Sequence, residues 1–437
     1  MLQVRRFIFI LLLGLGFYSP WTLASLSIAH WQTSSGARVY FVENRDLPIL
    51  DVSVEFAAGS GLDTAGQSGL ANLVQHALSL GAGGMTEDQI ATALADVGAQ
   101  LKNHFDQDRA GVVLRTLSTE RERKQALAVL ARIVQQPEFP AEAVQREKVR
   151  TIDSLRESGT RPSYIAERML MKMLYGDHSY GLSDLGEIEA LEKLRRDDLL
   201  QFYRTYYVAK NAIVTIIGDV TRVEAGDIAE SLTRELSTDD RPIVLPGVTL
   251  PQAEIRRIPH PAKQSHILLA YPGLRRVDPD YFPLLVGNHI LGGGGFVSRL
   301  MEEVRQQRGL AYSAYSFFVP YKEQGPFQIG LQTKKEQSEE ALALTQRVLK
   351  EFVADGPTEA ELAAAKQNII GGFPLRIDSN SKILSFLAMI GFYQLPLTYL
   401  DDYLAAVEAV TVDKIRDAFH RRIRPDGMVA VIVGAAE

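Results

Sequence analysis

The chain has 437 residues, 47 Lys and Arg against 53 Asp and Glu, a formal charge of −6, and no cysteine. The absence of cysteine excludes a disulfide framework and a lipid-anchored cysteine, so the fold rests on packing alone. Mild acidity with both signs scattered along the chain argues against nucleic acid as a partner.

The first 24 residues, MLQVRRFIFILLLGLGFYSPWTLA, join a basic start at Arg5 and Arg6 to an apolar run from Phe7 to Phe17 and a small-residue end at Thr22 and Ala24. This pattern predicts a secretory signal peptide cleaved near Ala24, hence export to a periplasm. The apolar run is shorter than the roughly 20 residues a membrane-spanning helix needs, and removal of Arg5 and Arg6 takes the charge from −6 to −8. The flanks of Arg5 and Arg6 match twin-arginine export poorly, which favours general secretion. About 410 residues remain, enough for two or more domains of roughly 150 residues each.

Beyond the leader the pattern predicts an N-terminal module over 25–238, a linker over 239–253 and a C-terminal module over 254–437. The boundary is the charged, proline-containing stretch from Ser237 to Gly247. Alternation in ARVYFVEN and ILDVSVEFAAGS predicts two strands, answered after the linker by AEIRRIP and SHILLAYPGL. Next comes GQSGLANLVQHALSLGAGGMTEDQIATALADVGAQLKNHFD, answered by YFPLLVGNHILGGGGFVSRLMEEVRQQRGLAYSAYSFF; each reads helix, glycine-rich turn, helix, strand. The helices ERERKQALAVLARIVQ and SEEALALTQRVLKEFVA correspond, as do AEAVQREKVRTIDSLRES and EAELAAAKQNIIGGFPLR. Each half ends in a helix, a short basic turn and a strand leading to glycine. One module is used twice. Strands and helices are mixed without βαβ alternation, which predicts an α+β fold of two α/β sandwich modules with mixed, mostly antiparallel sheets.

Within the first helix, Asn72-Leu73-Val74-Gln75-His76 has the spacing of H-x-x-E-H, in which two histidines on one helical face hold zinc and the glutamate acts as general base. Only His76 retains its type. Asn72 offers a neutral amide oxygen, a poor zinc donor beside imidazole, and Gln75 has no carboxylate to take a proton from water. The degenerate motif predicts no metal and no catalytic group in this chain; a lost general base alone costs about 10²–10⁴ in rate. Taken by itself, x-L-V-x-H is more often a core helix with one satisfied histidine.

The run Gly292 to Gly295 lacks the lysine and hydroxyl residue of a P-loop and reads as a flexible turn between helices. Arg305 and Tyr312, seven residues apart across a helix end and the next strand, combine a donor fork with a single directed phenol. An Arg305–Glu302 pair on one helix and a core tyrosine at 312 are the alternative.

Four stretches together resemble the pitrilysin and insulysin-type zinc peptidases, the inverted zincins, in their mitochondrial-processing-peptidase-like bacterial branch: GQSGLANLVQHALSLGAGG, LYGDHSYG (174–181), LGGGGFVSRL (291–300) and EEVRQQRGLAYS (302–313). The resemblance covers nearly the whole mature chain and implies that its two modules form half of a clamshell closed by a second pair. It implies a third zinc ligand, a glutamate, near 151–155, where this chain has none; Asp153 stands there, flanked by Glu147 and Glu157. It also implies that Arg305 and Tyr312 bind substrate across the chamber, with Arg308 the less well-placed competitor, and that the glycine run can touch peptide. The expectation is a non-catalytic, substrate-binding subunit of an exported heterodimeric zinc peptidase, with zinc in a homologous partner carrying H-x-x-E-H and extended peptides as substrate. A homodimeric peptide-binding or scaffold pseudoenzyme of the cell envelope is the alternative, and a cryptic hydrolase using His76 with Asp153 is a third reading.

Overall fold

The computed structural model describes residues 27–239 and 243–434. The expected leader and its cleavage point at Ala24 lie outside the described residues. The first half runs β1 (Ala29–Gln32), β2 (Arg38–Glu43), β3 (Ile49–Phe56), helix α1 (Leu70–Ala77), a short hairpin of β4 (Gly81–Ala82) and β5 (Met85–Thr86), and α2 (Glu87–Ala95). It continues through β6 (Gln100–Phe105), β7 (Ala110–Leu117), α3 (Glu120–Gln135), α4 (Ala141–Ser158), α5 (Pro162–Tyr175), α6 (Ile188–Lys193), α7 (Arg196–Tyr206), β8 (Ala212–Gly218) and α8 (Arg222–Thr233). The second half opens with β9 (Glu254–Ile258), β10 (Gln264–Pro272) and α9 (Tyr281–Asn288), followed by π-helical turns at His289–Gly293 and Met301–Gln307. Then come β11 (Ala311–Phe318), β12 (Pro326–Lys334), α10 (Ser338–Asp355), α11 (Glu359–Gly372), α12 (Asn380–Tyr393), α13 (Tyr399–Glu408), α14 (Val412–Arg422) and β13 (Val429–Val433).

The duplication is visible in the sheets. The first has the order β1-β2-β8-β3-β7-β6 and the second β11-β12-β10-β13-β9. Matching β2 with β9, β8 with β13, β3 with β10, β7 with β12 and β6 with β11 makes the two orders identical, with β1 an addition at one edge. The single parallel pair falls in the same place in each: Arg38 lies opposite Ile213, and Val429 opposite Glu254. All other strand pairs are antiparallel. Local signals start the helices: Thr86, Thr221 and Thr358 each accept from the backbone three residues on, where a Gln or Glu side chain bonds back, forming capping boxes.

Because side chains alternate across a strand, each sheet has two apolar faces. In the first sheet Val39, Phe41, Val214 and Ile216 pack under the helices of their own half, while Tyr40, Val42, Ile213 and Ile217 point the other way. That second face is covered by α12, which comes from the far half of the sequence. The contact is close: a Cβ at Gly391 would come within 2.6 Å of the Tyr40 ring and 2.8 Å of Ile213, and Arg38 donates to the Gly391 carbonyl at 2.9 Å. The exchange is reciprocal. Helix α5 of the first half lays Ala166, Leu170 and Leu174 on Leu268, Ala270, Val429 and Val431 of the second sheet. Each such leucine withdrawn from water contributes about 1.5–3 kcal/mol.

The seam between the halves is fastened by Asp108, which is 5% exposed. Its carboxylate accepts from the Tyr180 hydroxyl at 2.8 Å, the Tyr393 hydroxyl at 2.7 Å and the Lys322 backbone N–H at 2.6 Å. Burial pushes this carboxyl up, and the two phenols and the amide pull it back toward the ionised form. Tyr180 lies in LYGDHSYG, so that stretch serves the seam. Tyr393→Phe removes one of these bonds while keeping the ring, and is expected to lower stability by about 1.5–3 kcal/mol in urea unfolding; a change within about 0.5 kcal/mol would show that the seam is held otherwise.

Candidate functional site

Helix α1 is entered through Gly69, whose φ of 89° suits glycine. Asp63 accepts from the Gly69 N–H at 2.8 Å and the Ala71 N–H at 3.0 Å, holding the first turn in place. Burial raises this carboxyl to about 7 despite the two backbone donors. Leu70, Leu73, Val74 and Ala77 fix the helix in the core of the first half.

Gln75 is fully buried. Its Nε2 donates to the Gly111 carbonyl on β7 at 2.7 Å, and the Tyr207 hydroxyl donates to its Oε1 at 3.2 Å. Both ends of the amide are used, so the position of the general base has become part of the core. Asn72 is 7% exposed. The His76 Nδ1 lies 3.0 Å from the Asn72 carbonyl, which can only accept, so Nδ1 carries the proton and Nε2 holds the free lone pair.

Helix α4, which packs on α1 and α6, turns Val144, Lys148, Ile152 and Leu155 inward. Lys148 donates to the carbonyls of Leu194 at 2.7 Å and Glu192 at 3.3 Å. Asp153 is exposed and pairs with Arg156 at 3.2 Å; Glu147 is half-buried, 3.7 Å from Arg150; Glu157 is exposed. Among the described residues no three His, Cys, Asp or Glu side chains gather as a metal-holding group. One imidazole beside two amides, one of them hydrogen-bonded at both ends, does not fit zinc, which takes four charged or imidazole donors in structural sites and three plus water in catalytic ones.

In the second half the arrangement differs. Arg305 sits on the π-helical turn Met301–Gln307, and its guanidinium carbon lies 5.1 Å from the Tyr312 ring centre and 4.6 Å from that of Phe296. Tyr312 is 82% exposed, so it is no core residue. Arg305 has no carboxylate partner among the described residues; Glu302 instead accepts from Gln307 at 3.2 Å. The ring contacts belong to Arg305 and not to Arg308. Phe296 and Val297 add exposed apolar surface beside the pair. The glycine run is packed only at its start, where a Cβ on Gly292 would come within 2.5 Å of the Ser316 backbone nitrogen; Gly293 and Gly295 are exposed, and Gly295 takes a φ of +63°. Asn288 ties the same strand down, donating to the Ser316 carbonyl at 3.1 Å and accepting from its hydroxyl at 2.7 Å.

Sequence reasoning missed Asp63 and Tyr207. Asp63 serves a helix that starts several residues later, outside any short capping motif, and Tyr207 reaches Gln75 from 132 positions away.

Residues 38–187 match the model of insulinase, peptidase family M16, and residues 193–369 match that of the peptidase M16 inactive domain. The chain belongs to the M16 insulinase family. Its fold superposes with a TM-score of 0.91 on the crystal structure of a peptidase M16 inactive domain from Pseudomonas fluorescens, at 37% identity over 94% of this chain and 98% of that one. Among curated relatives, Bacillus subtilis zinc protease YmxG is 24% identical over 93% of this chain and 98% of its own length. The Helicobacter pylori non-peptidase homolog YmxG is 25% identical over 95% of each. M16 relatives at equal distance thus carry a peptidase name and a non-peptidase name, and the side chains of α1 distinguish the two cases here.

Restoring the letters of the motif does not restore the site. The double variant Asn72→His with Gln75→Glu is expected to hold far less than one zinc per chain by elemental analysis. It should also lose roughly 2–4 kcal/mol of stability, since a buried carboxylate cannot donate to the Gly111 carbonyl. Stoichiometric zinc in a stable double variant would refute this account of the helix.

Proposed function

We propose that this M16 homologue is the non-catalytic, substrate-binding subunit of an exported heterodimeric zinc peptidase that cleaves extended peptides. The observation that carries the reading is the contrast between the halves: the α1 amide is consumed by the core, while a half-buried Arg305 and an exposed Tyr312 stand together, with no carboxylate among the described residues to neutralise the guanidinium. Zinc and the general base belong to a homologous partner carrying H-x-x-E-H. From this chain, the Arg305 fork holds a peptide carbonyl or carboxylate, and the Tyr312 hydroxyl donates one directed hydrogen bond to an oxygen on which negative charge develops. The stacking of Arg305 on the Tyr312 and Phe296 rings limits the rotamers lost when peptide arrives.

The match to the inactive-domain model and the name of the Helicobacter pylori relative support a non-peptidase role. The leader-like first 24 residues support export. No helix among the described residues is long and apolar enough to cross a membrane.

The test is reconstitution with the companion chain. Arg305→Ala and Tyr312→Phe are each expected to lower kcat/KM of the pair by at least about tenfold, toward the 10²-fold typical of a lost oxyanion donor, with assembly intact by size-exclusion chromatography. Purification from the native host only as a monomer or self-dimer, with cleavage unaffected by either change, would favour the homodimeric binding or scaffold reading.

A further inference from the structure

A separate cavity of about 370 Å³ lies in the second half. It sits between the end of α9, the tip of β11, α11 and α13, on the helix that occupies the place α1 holds in the first half. Its volume is within the range of small-molecule sites. The walls are mixed: Leu284, Leu285, Ile369 and the rings of Phe317 and Phe318 form an apolar side, and Asn288 and His289 stand among the polar groups.

The polar groups on it are unbalanced. Arg276 and Arg376 both line the cavity, and neither has a carboxylate partner among the described residues. The nearby acids are engaged elsewhere: Asp278 with Arg422 at 3.0 Å, Asp280 with Arg421 and Arg422 at 2.7 and 2.8 Å, and Asp378 with Lys382 at 2.9 Å. No Asp or Glu is among the described lining residues.

Two lining residues carry buried polar atoms, Tyr403 Oη and Arg276 Nε, with no hydrogen-bond partner among the described residues. Tyr403 is only 2% exposed and its ring is stacked on Phe373 at 4.5 Å, which fixes the position of its hydroxyl. Burial raises this phenol to about 12, which keeps its proton in place as a donor. The His289 imidazole is pushed down by burial and by Arg376, and so stays neutral. Orphaned buried donors are rare enough in native proteins to require an explanation, and an absent ligand is one.

We infer that this cavity binds a carboxylate carried on an apolar body, such as the C-terminal residue of a peptide with a large apolar side chain or a short fatty acid. The guanidinium groups and the Tyr403 hydroxyl supply donors for a carboxylate, and the leucine and phenylalanine walls take the apolar part. A phosphate is a poorer match, because it would leave the leucine and phenylalanine side of the cavity without an apolar partner. The inference does not rest on the proposed heterodimer and concerns this chain alone.

Titration calorimetry on the full chain without a partner tests it. The probes are N-acetyl-alanyl-phenylalanine as the free acid, the same compound as its amide, octanoate, and inorganic phosphate. One or both carboxylates should bind, at least tenfold more tightly than the amide and phosphate; the stronger of the two identifies the source. Tyr403→Phe and Arg376→Gln should each weaken carboxylate binding at least fivefold. Neither should lower the unliganded melting temperature, since the hydroxyl removed is unpaired and Arg376 is exposed without an ion pair. The inference is overturned if acid and amide bind alike, if phosphate binds as tightly as the acids, if both variants bind as wild type, or if no acid binds up to about 10 mM.

Discussion

Neither sheet can be finished by its own half. Strand alternation gives each sheet two apolar faces, and each half covers only one of them with its own helices; the other waits for a helix from across the seam. The whole architecture depends on this reciprocal loan of α5 and α12. It aligns the two sheets, brings Tyr393 to Asp108, and fixes the relative position of α1 and the Arg305 turn without any disulfide. A buried carboxylate with three donors is a demanding fastener, since loss of any donor leaves charge with less compensation.

Within that frame the two copies of the module have diverged in opposite directions. In the first, polar groups are drawn into the core: Gln75 spans from Tyr207 to Gly111, and the inward face of α4 carries Lys148 on two carbonyls. In the second, cationic groups have no counter-ions among the described residues, beside the exposed ring of Tyr312 at Arg305 and around a cavity at Arg276 and Arg376. Evolution of a protein interior tends to satisfy every polar atom. The places where this chain does not do so are therefore the places to look for ligands.

The repeated module was legible because strands and long amphipathic helices announce themselves locally; α3 and α4 coincide with the segments read from the sequence, and the sheet orders agree element by element. The exchanged helices were not among the matched segments. Their sequences, PSYIAERMLMKMLY and NSKILSFLAMIGFY, mark apolar helices, but nothing local says which sheet they cover. The π-helical turns around the glycine run were also invisible, since no residue in either turn marks it locally and the close approach of Gly292 to Ser316 joins a helix end to a later strand. At the site, the departures at Asn72 and Gln75 could be read directly, as could the Arg305–Tyr312 spacing. The reason Gln75 is settled where it is could not: its partners are distant in sequence. Nor could the second-half cavity, whose arginines are separated by most of that half.

The exchanged helices also set an order on biosynthesis. The strands of the first sheet have all been made by Gly218, yet Tyr40, Val42, Ile213 and Ile217 stay uncovered until α12 has emerged, more than a hundred residues later. A nascent chain of this protein therefore cannot complete its first half while the ribosome is still translating the second. An oily sheet face is open for that whole interval, and a chaperone is the natural shield for it.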